Sequence, residues 1–274
     1  MIIQNNLMAL NAQGQLLKNS LTLAKSLEKM SSGYKINRAG DDAAGLAISE
    51  KMRAQIKGLD IAARNALDGI SMIQTSEGAL TEVHSMLNRM AELSTQSANG
   101  IYSDTERQAL NAEFQQLKSE IDRISQATNF NGKNLLDGSM SESLQIGDTG
   151  DNYNKMGVSV GDMSTKGLGL ADIGIETIEG ASAAIGNIKD SINAVSSQRA
   201  ELGAGQNKLE HTISNLAVTT ENLIASESRI RDTDMALEMM NFTRASILQQ
   251  ANQSMLAHAN LIPQGVLSML WNRS

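Results

Sequence analysis

The chain contains no cysteine, one proline (Pro263) and few aromatic residues: three Phe, three Tyr and one Trp. Without cysteine there is no disulfide framework and no thiol chemistry. With one proline in 274 residues the main helix breaker is almost missing, while Leu, Ile, Ala and 15 Met supply helix-compatible apolar side chains. No run approaches the ~18 consecutive apolar residues of a membrane-spanning helix. The opening segment, MIIQNNLMALNAQGQLL, lacks the basic leader and unbroken apolar core of a secretory signal, so any export is expected to proceed without a cleaved signal peptide. A dense basic face is also missing. Lys18, Lys25, Lys29 and Lys35 oppose only Glu28 in residues 1–35, and Arg244 and Arg273 meet no acid in 241–274. The two end segments together carry +5 and the rest −12, which excludes a general nucleic-acid binder.

Catalytic signatures are weak. Gly157-Val158-Ser159-Val160-Gly161 has the spacing of a nucleophile elbow, but that elbow needs a strand-to-helix turn, and Ser159 sits within an alternating strand pattern. His84, His211 and His258 are isolated, with no H-E-x-x-H to bind zinc. Gly167-Leu168-Gly169 and Gly203-Ala204-Gly205 lack the third glycine of a phosphate loop. No enzyme, no cofactor and no metal centre is expected.

Heptad spacing dominates what is present. Ile3, Leu7, Leu10, Gly14, Leu17, Leu21 and Ala24 form a 4-3 seam, widened by a second stripe at Leu16, Leu23, Leu27 and Met30. The helix is predicted to stop at Ser31-Ser32-Gly33. A second seam runs Met52, Ile56, Leu59, Ala63, Ala66, Ile70, Ile73, Glu77, Leu80, His84, Leu87 and Ala91, with Glu77 and His84 read as partly solvated, register-fixing positions. Ser103-Asp104-Thr105-Glu106 has the spacing of a capping box and opens a third helix, antiparallel to the second. A hairpin centred near residue 101 places Arg89 opposite Glu113, as an ordinary interhelical ion pair would require.

Residues 129–176 change character. Asn131-Gly132 and Asp137-Gly138 signal turns, and Leu144/Ile146 and Val158/Val160 alternate as short strands do. Beyond them Ile188, Val195, Leu202, Leu209, Leu216, Leu223, Ile230 and Leu237 keep seven-residue spacing, predicting one helix of about fifty residues, roughly 75 Å long, weakened near Gly203 and Gly205. Leu248, Met255, Ile262 and Met269 repeat the spacing at the C-terminal end, where Pro263 is expected to break or kink the helix. The expected fold is mainly α: a long coiled-coil-like helical rod with a small β-hairpin module. A two-helix pair cannot bury all the apolar side chains of the two end segments, so they are expected to meet other subunits. An unrelated coiled-coil adaptor would not need seams at both extremes.

Specific motifs identify a family. Residues 37–48 (NRAGDDAAGLAI), 129–132 (NFNG), 228–236 (SRIRDTDMA), 247–252 (ILQQAN) and 263–268 (PQGVLS) resemble bacterial flagellin over essentially the whole chain. His258, Leu261-Ile262 and the Trp271-Asn272-Arg273-Ser274 tail depart from the usual pattern. The resemblance implies a short-form structural subunit of the extracellular flagellar filament, used in motility. Residues 1–40 with 235–274 would form an inner-core domain and 41–128 with 177–234 a rod, with 129–176 a small β module within it. Assembly would rest on Ile3, Leu7, Leu10, Leu17, Leu21, Leu248, Met255, Ile262 and Met269. Implied partners are further copies of the chain, a flagellar export chaperone on the C-terminal segment, filament cap and hook-junction proteins, and the host Toll-like receptor 5 through Leu87, Arg89, Leu93 and Glu113; no nucleic acid and no membrane is implied. A hook–filament junction protein of the same superfamily is the nearest alternative.

Overall fold

A computed structural model describes the backbone of residues 6–271 and the side chains of residues 6–265. The elements run α1 (Leu7–Ser32), α2 (Ala43–Ser97), α3 (Asp104–Ala127), β1 (Asn129–Phe130), β2 (Lys133–Asn134), β3 (Ser141–Gln145), β4 (Lys155–Ser159), α4 (Ile178–Arg231) and α5 (Met235–Trp271). The chain is mainly α, as its composition requires. Its contacts divide it into two units, Met1–Ala54 with Asn222–Ser274 and Gln55–Glu221.

The second unit holds the larger core. Along α2 the buried positions include a row at Leu59, Ala62, Ala66, Gly69, Ile73, Ser76, Leu80, Val83, Leu87, Met90, Ser94 and Ser97, with Met72 and Leu93 beside it. This 3-4 spacing shares Leu59, Ala66, Ile73, Leu80 and Leu87 with the sequence seam but takes its other row from Ala62, Gly69, Ser76, Val83, Met90 and Ser97. The row of Ala63, Ile70, Glu77, His84 and Ala91 is only half-buried. Small residues win the interior row because they let the neighbouring chain approach closely. A Cβ on Gly69 would lie 2.5 Å from Leu144 Cδ1 and 3.3 Å from Leu209 Cδ1. Glu77 pairs with Arg199 on α4 at 3.6 Å.

The α2–α3 hairpin forms as the turn and cap residues dictate. Ser103 Oγ accepts from the Glu106 amide, and the Glu106 carboxylate accepts in return from the Ser103 amide at 2.8 Å, closing the capping box. Arg107, buried, donates to the carbonyls of Ser97, Asn99 and Tyr102, satisfying backbone acceptors at the hairpin tip. Phe114 and Ile121 of α3 are fully buried.

The β module consists of two separate antiparallel pairs, β1 with β2 and β3 with β4. Asn131 (φ 51°) and Gly132 (φ 79°) make the two-residue turn that an Asn-Gly pair favours. In the second pair Leu144 faces Met156 and Glu142 faces Val158. Met156 and Val158 turn into the core.

Two expectations for the long helices need correction. The seven-residue run through Leu237 is not one helix: α4 ends at Arg231, and Leu237 stands exposed in the first turn of α5. Asp234 Oδ1 caps that new helix by accepting from the amides of Ala236 (2.9 Å) and Leu237 (3.1 Å). Nor does Pro263 end α5, whose helix continues to Trp271. Gly203 and Gly205 leave α4 uninterrupted.

Candidate assembly interface

In the first unit α1 packs along α5. The pairing is antiparallel: Asn6 at the start of α1 bonds Ala259 late in α5, and Gly33 just past α1 accepts from the Thr233 amide just before α5 (3.0 Å). Gly33 closes α1 in the left-handed conformation (φ 75°), its amide donating to the Lys29 carbonyl.

The two helices meet through unexpected faces. The covered positions of α1 include the row Ala9, Ala12, Leu16, Asn19, Leu23, Ser26 and Met30. Those of α5 include Glu238, Asn241, Ala245, Gln249, Asn252, Leu256 and Ala259, with Phe242, Ser246 and Pro263 beside them. Most are small or polar. The stronger apolar seam of α1 points away from α5: Leu7, Leu10, Leu17 and Leu21 are 59–64% exposed. On α5 Leu248, Met255 and Ile262 are 45–64% exposed. The first seam of each helix is thus an apolar stripe turned away from its partner helix, while of the second stripe of α1 Leu16, Leu23 and Met30 face inward and Leu27 is 54% exposed. Ile3 and the side chain of Met269 lie outside the described residues.

Apolar area left in water is unfavourable by roughly 25 cal/mol per Å². A helix pair that covers mostly small and polar side chains and leaves its larger apolar stripe in water is inside-out as an isolated object. Met239, Met240, Ile247 and Leu248 add to the same exposed surface, as the walls of a shallow apolar groove on α5. Methionine is the side chain that adapts best to an irregular partner surface.

The flanks of the pair are fixed by charge. Lys25 contacts Asp41 at 2.8 Å, and Asp41 also accepts from the amides of Asn37 and Arg38, each 3.2 Å. The Lys25 hydrogen bond, with these two amides, holds the Asp41 carboxyl down to about 2. The Tyr34 ring lies between two guanidinium groups, 4.8 Å from Arg231 and 5.2 Å from Arg53. Arg53 donates to the Tyr34 hydroxyl (2.7 Å) and pairs with Glu227 (3.1 Å), while Arg231 pairs with Glu50. The Lys35 amide donates to the Arg231 carbonyl at 2.6 Å. The motifs at 37–48 and 228–236, nearly two hundred residues apart in sequence, thus flank one junction. Periodicity alone gave no sign of it, because it joins polar side chains at the start of α2 and the end of α4 to Tyr34 of a connecting segment.

The second predicted site divides. Arg89 Nε meets Glu113 at 2.8 Å and Nη1 meets Glu92 at 3.0 Å, with all three side chains exposed. Leu87 and Leu93 are 0% exposed and belong to the core of the second unit, so on the isolated chain they support this surface from within and do not form it. Ser159 ends strand β4, where its carbonyl accepts from Gln198, and no helix follows. No cluster of potential metal ligands occurs among the described residues, and none of their helices is long and apolar enough to cross a membrane.

Comparison with known proteins agrees with this architecture. The family described as "Bacterial flagellin N-terminal helical region" matches residues 3–141, and "Bacterial flagellin C-terminal helical region" matches residues 185–270. Flagellin of Halalkalibacterium halodurans is 54% identical over 271 residues, covering 98% of this chain and 100% of the relative. A flagellar filament 31.3 kDa core protein of Treponema maltophilum is 46% identical over 287 residues, with 98% and 100% covered. The crystal structure of Bacillus cereus flagellin superposes with a TM-score of 0.50 at 30% identity, covering 56% of this chain and 88% of that one. A putative flagellar hook-associated protein of Vibrio parahaemolyticus has a TM-score of 0.60 at 14% identity, covering 70% of this chain and 100% of that one, a likeness of fold alone. The chain belongs to the bacterial flagellin family: it is a structural subunit of the flagellar filament and not an enzyme.

Proposed function

We propose that the filament forms when the outward stripes of α1 and α5 are covered by the same helices of neighbouring copies, producing a hollow core that serves motility. The supporting observation is the inverted helix pair, with Leu7, Leu10, Leu17 and Leu21 exposed beside Leu248, Met255 and Ile262. Fully burying one leucine is worth about 1.5–3 kcal/mol, so several per subunit supply a strong driving force for polymerisation. In this reading residues 1–40 with 235–274 are the inner-core domain, 41–128 with 177–234 the rod, and 129–176 a small β module within it. The family resemblance supports export without a cleaved signal, an export chaperone on the C-terminal segment, and end contacts with cap and hook-junction proteins. It also supports recognition by Toll-like receptor 5, with Arg89 and Glu113 on the exposed surface and Leu87 and Leu93 holding it from below.

The test is truncation. Removing residues 1–35 or 240–274 should leave a folded second unit that stays soluble and forms no filaments, whereas the full chain gives hollow filaments by electron microscopy. Filaments from either truncated chain would overturn the proposal.

A further inference from the structure

Pro263 lies inside α5 and has no N–H. The carbonyl four residues earlier, on Ala259, is therefore deprived of its normal helical donor. That same carbonyl accepts a hydrogen bond of 2.7 Å from Asn6 Nδ2, across 253 residues of sequence. Ala259 is buried, so an unfilled carbonyl there would be costly. The other end of the Asn6 amide is also occupied: Oδ1 accepts from the Ala9 amide at 3.1 Å, which makes Asn6 the N-cap of α1. One side chain thus starts α1 and binds the single carbonyl that proline frees on α5.

We infer that Asn6 is a positioning residue for assembly, setting the axial register of α1 on α5 by filling the carbonyl that Pro263 leaves open. This rests on the assembly reading above. The covered face between the helices needs such a device. Most of its side chains are alanine or polar, and a slip of one turn would shift α1 by about 5.4 Å. The Gly33–Thr233 bond anchors the connector end of the pair. Asn6 anchors the opposite end, next to exposed Leu7, Leu10, Leu261 and Ile262. Register matters there because the two outward stripes must line up to form one continuous surface for a neighbouring copy. The pairing also gives Pro263 a purpose: it supplies an acceptor at one defined height along an otherwise saturated helix.

The donor and cap roles separate by substitution. Asn6→Asp keeps an oxygen for the cap, where Asp performs as well as Asn, but has nothing to donate to Ala259. The assay is the critical concentration for polymerisation of the full chain, measured by sedimentation. Asn6→Asp should raise it about five-fold, the equivalent of one net hydrogen bond of about 1 kcal/mol. Pro263→Ala restores an N–H to the Ala259 carbonyl and makes the Asn6 donor redundant. In that background Asn6→Asp should change the critical concentration less than two-fold. Parental behaviour of Asn6→Asp would overturn the inference, as would an equal penalty in both backgrounds or a Pro263→Ala chain that cannot polymerise at all. Failure of the parent chain to polymerise would instead sink the assembly reading beneath it.

Discussion

Leu17 and Leu21 offer a sharp test of the inside-out helix pair, because assembly should respond strongly to their loss and folding hardly at all. Each is nearly two-thirds exposed on the isolated chain, 63% and 64%. Burying a whole leucine is worth about 1.5–3 kcal/mol, so roughly 1–2 kcal/mol per side chain remains to be gained when a neighbour covers it. The double substitution Leu17→Ala with Leu21→Ala should therefore cost about 2–4 kcal/mol per subunit in the filament, a rise of roughly 30- to 900-fold in critical concentration. Alanine is an excellent helix former, and thermal unfolding of the unassembled chain should shift by no more than about 0.5 kcal/mol. Phe114→Ala provides the contrast. Phe114 is fully buried on α3, and its loss should destabilise the isolated chain by about 3–5 kcal/mol. Calorimetry of the monomer and sedimentation of the polymer separate the two effects. Polymerisation of the double variant at the parental concentration would refute the argument that these stripes are the assembly surface. So would a loss of monomer stability comparable to that of Phe114→Ala.

Two further predictions follow from charged groups. The Lys25 contact and the Asn37 and Arg38 amides hold Asp41 at about 2, below its ordinary 3.8, so its contribution to stability is complete above pH 3.8 and is lost as pH falls through about 2. Asp41→Asn should flatten the acid titration of the first unit between pH 4 and 2, followed by circular dichroism; superimposable curves for parent and variant would exclude this role. Replacing Arg89 and Glu113 together by alanine removes an exposed ion pair and should leave thermal stability close to parental while abolishing signalling through Toll-like receptor 5 in a reporter-cell assay. Unchanged signalling would remove these two residues from the receptor surface.

Much of this protein was legible in sequence because its elements carry strong local signals. Ser103 and Glu106 close a capping box at the position their spacing predicts, Gly33 ends α1, and Asn131-Gly132 turns the first hairpin. These features depend on residues only a few positions apart, so periodicity and turn chemistry suffice. The motifs at 37–48 and 228–236 identified the family, yet nothing in their spacing showed that they flank a tyrosine held between Arg53 and Arg231. The α4–α5 break was hidden because Leu237 happens to continue a seven-residue repeat, while the cap that ends that repeat is a single aspartate, Asp234.

The amino-acid sequence by itself determined which stripes are apolar and where most helices begin and end. It did not determine what each stripe faces. Hydrophobic spacing records that a surface gains by leaving water, but that gain is non-directional and does not name a partner. On α2 the tertiary structure placed Ala62, Gly69 and Ser76 in the core row because small side chains permit close approach, a property that no hydropathy pattern registers. On α1 and α5 it turned mostly small and polar residues toward each other and left the first stripe (Leu7, Leu10, Leu17 and Leu21, with Leu248) outside. It also brought Asn6 to the one carbonyl freed by Pro263, a match of donor to acceptor that arises only once the chain has folded back on itself.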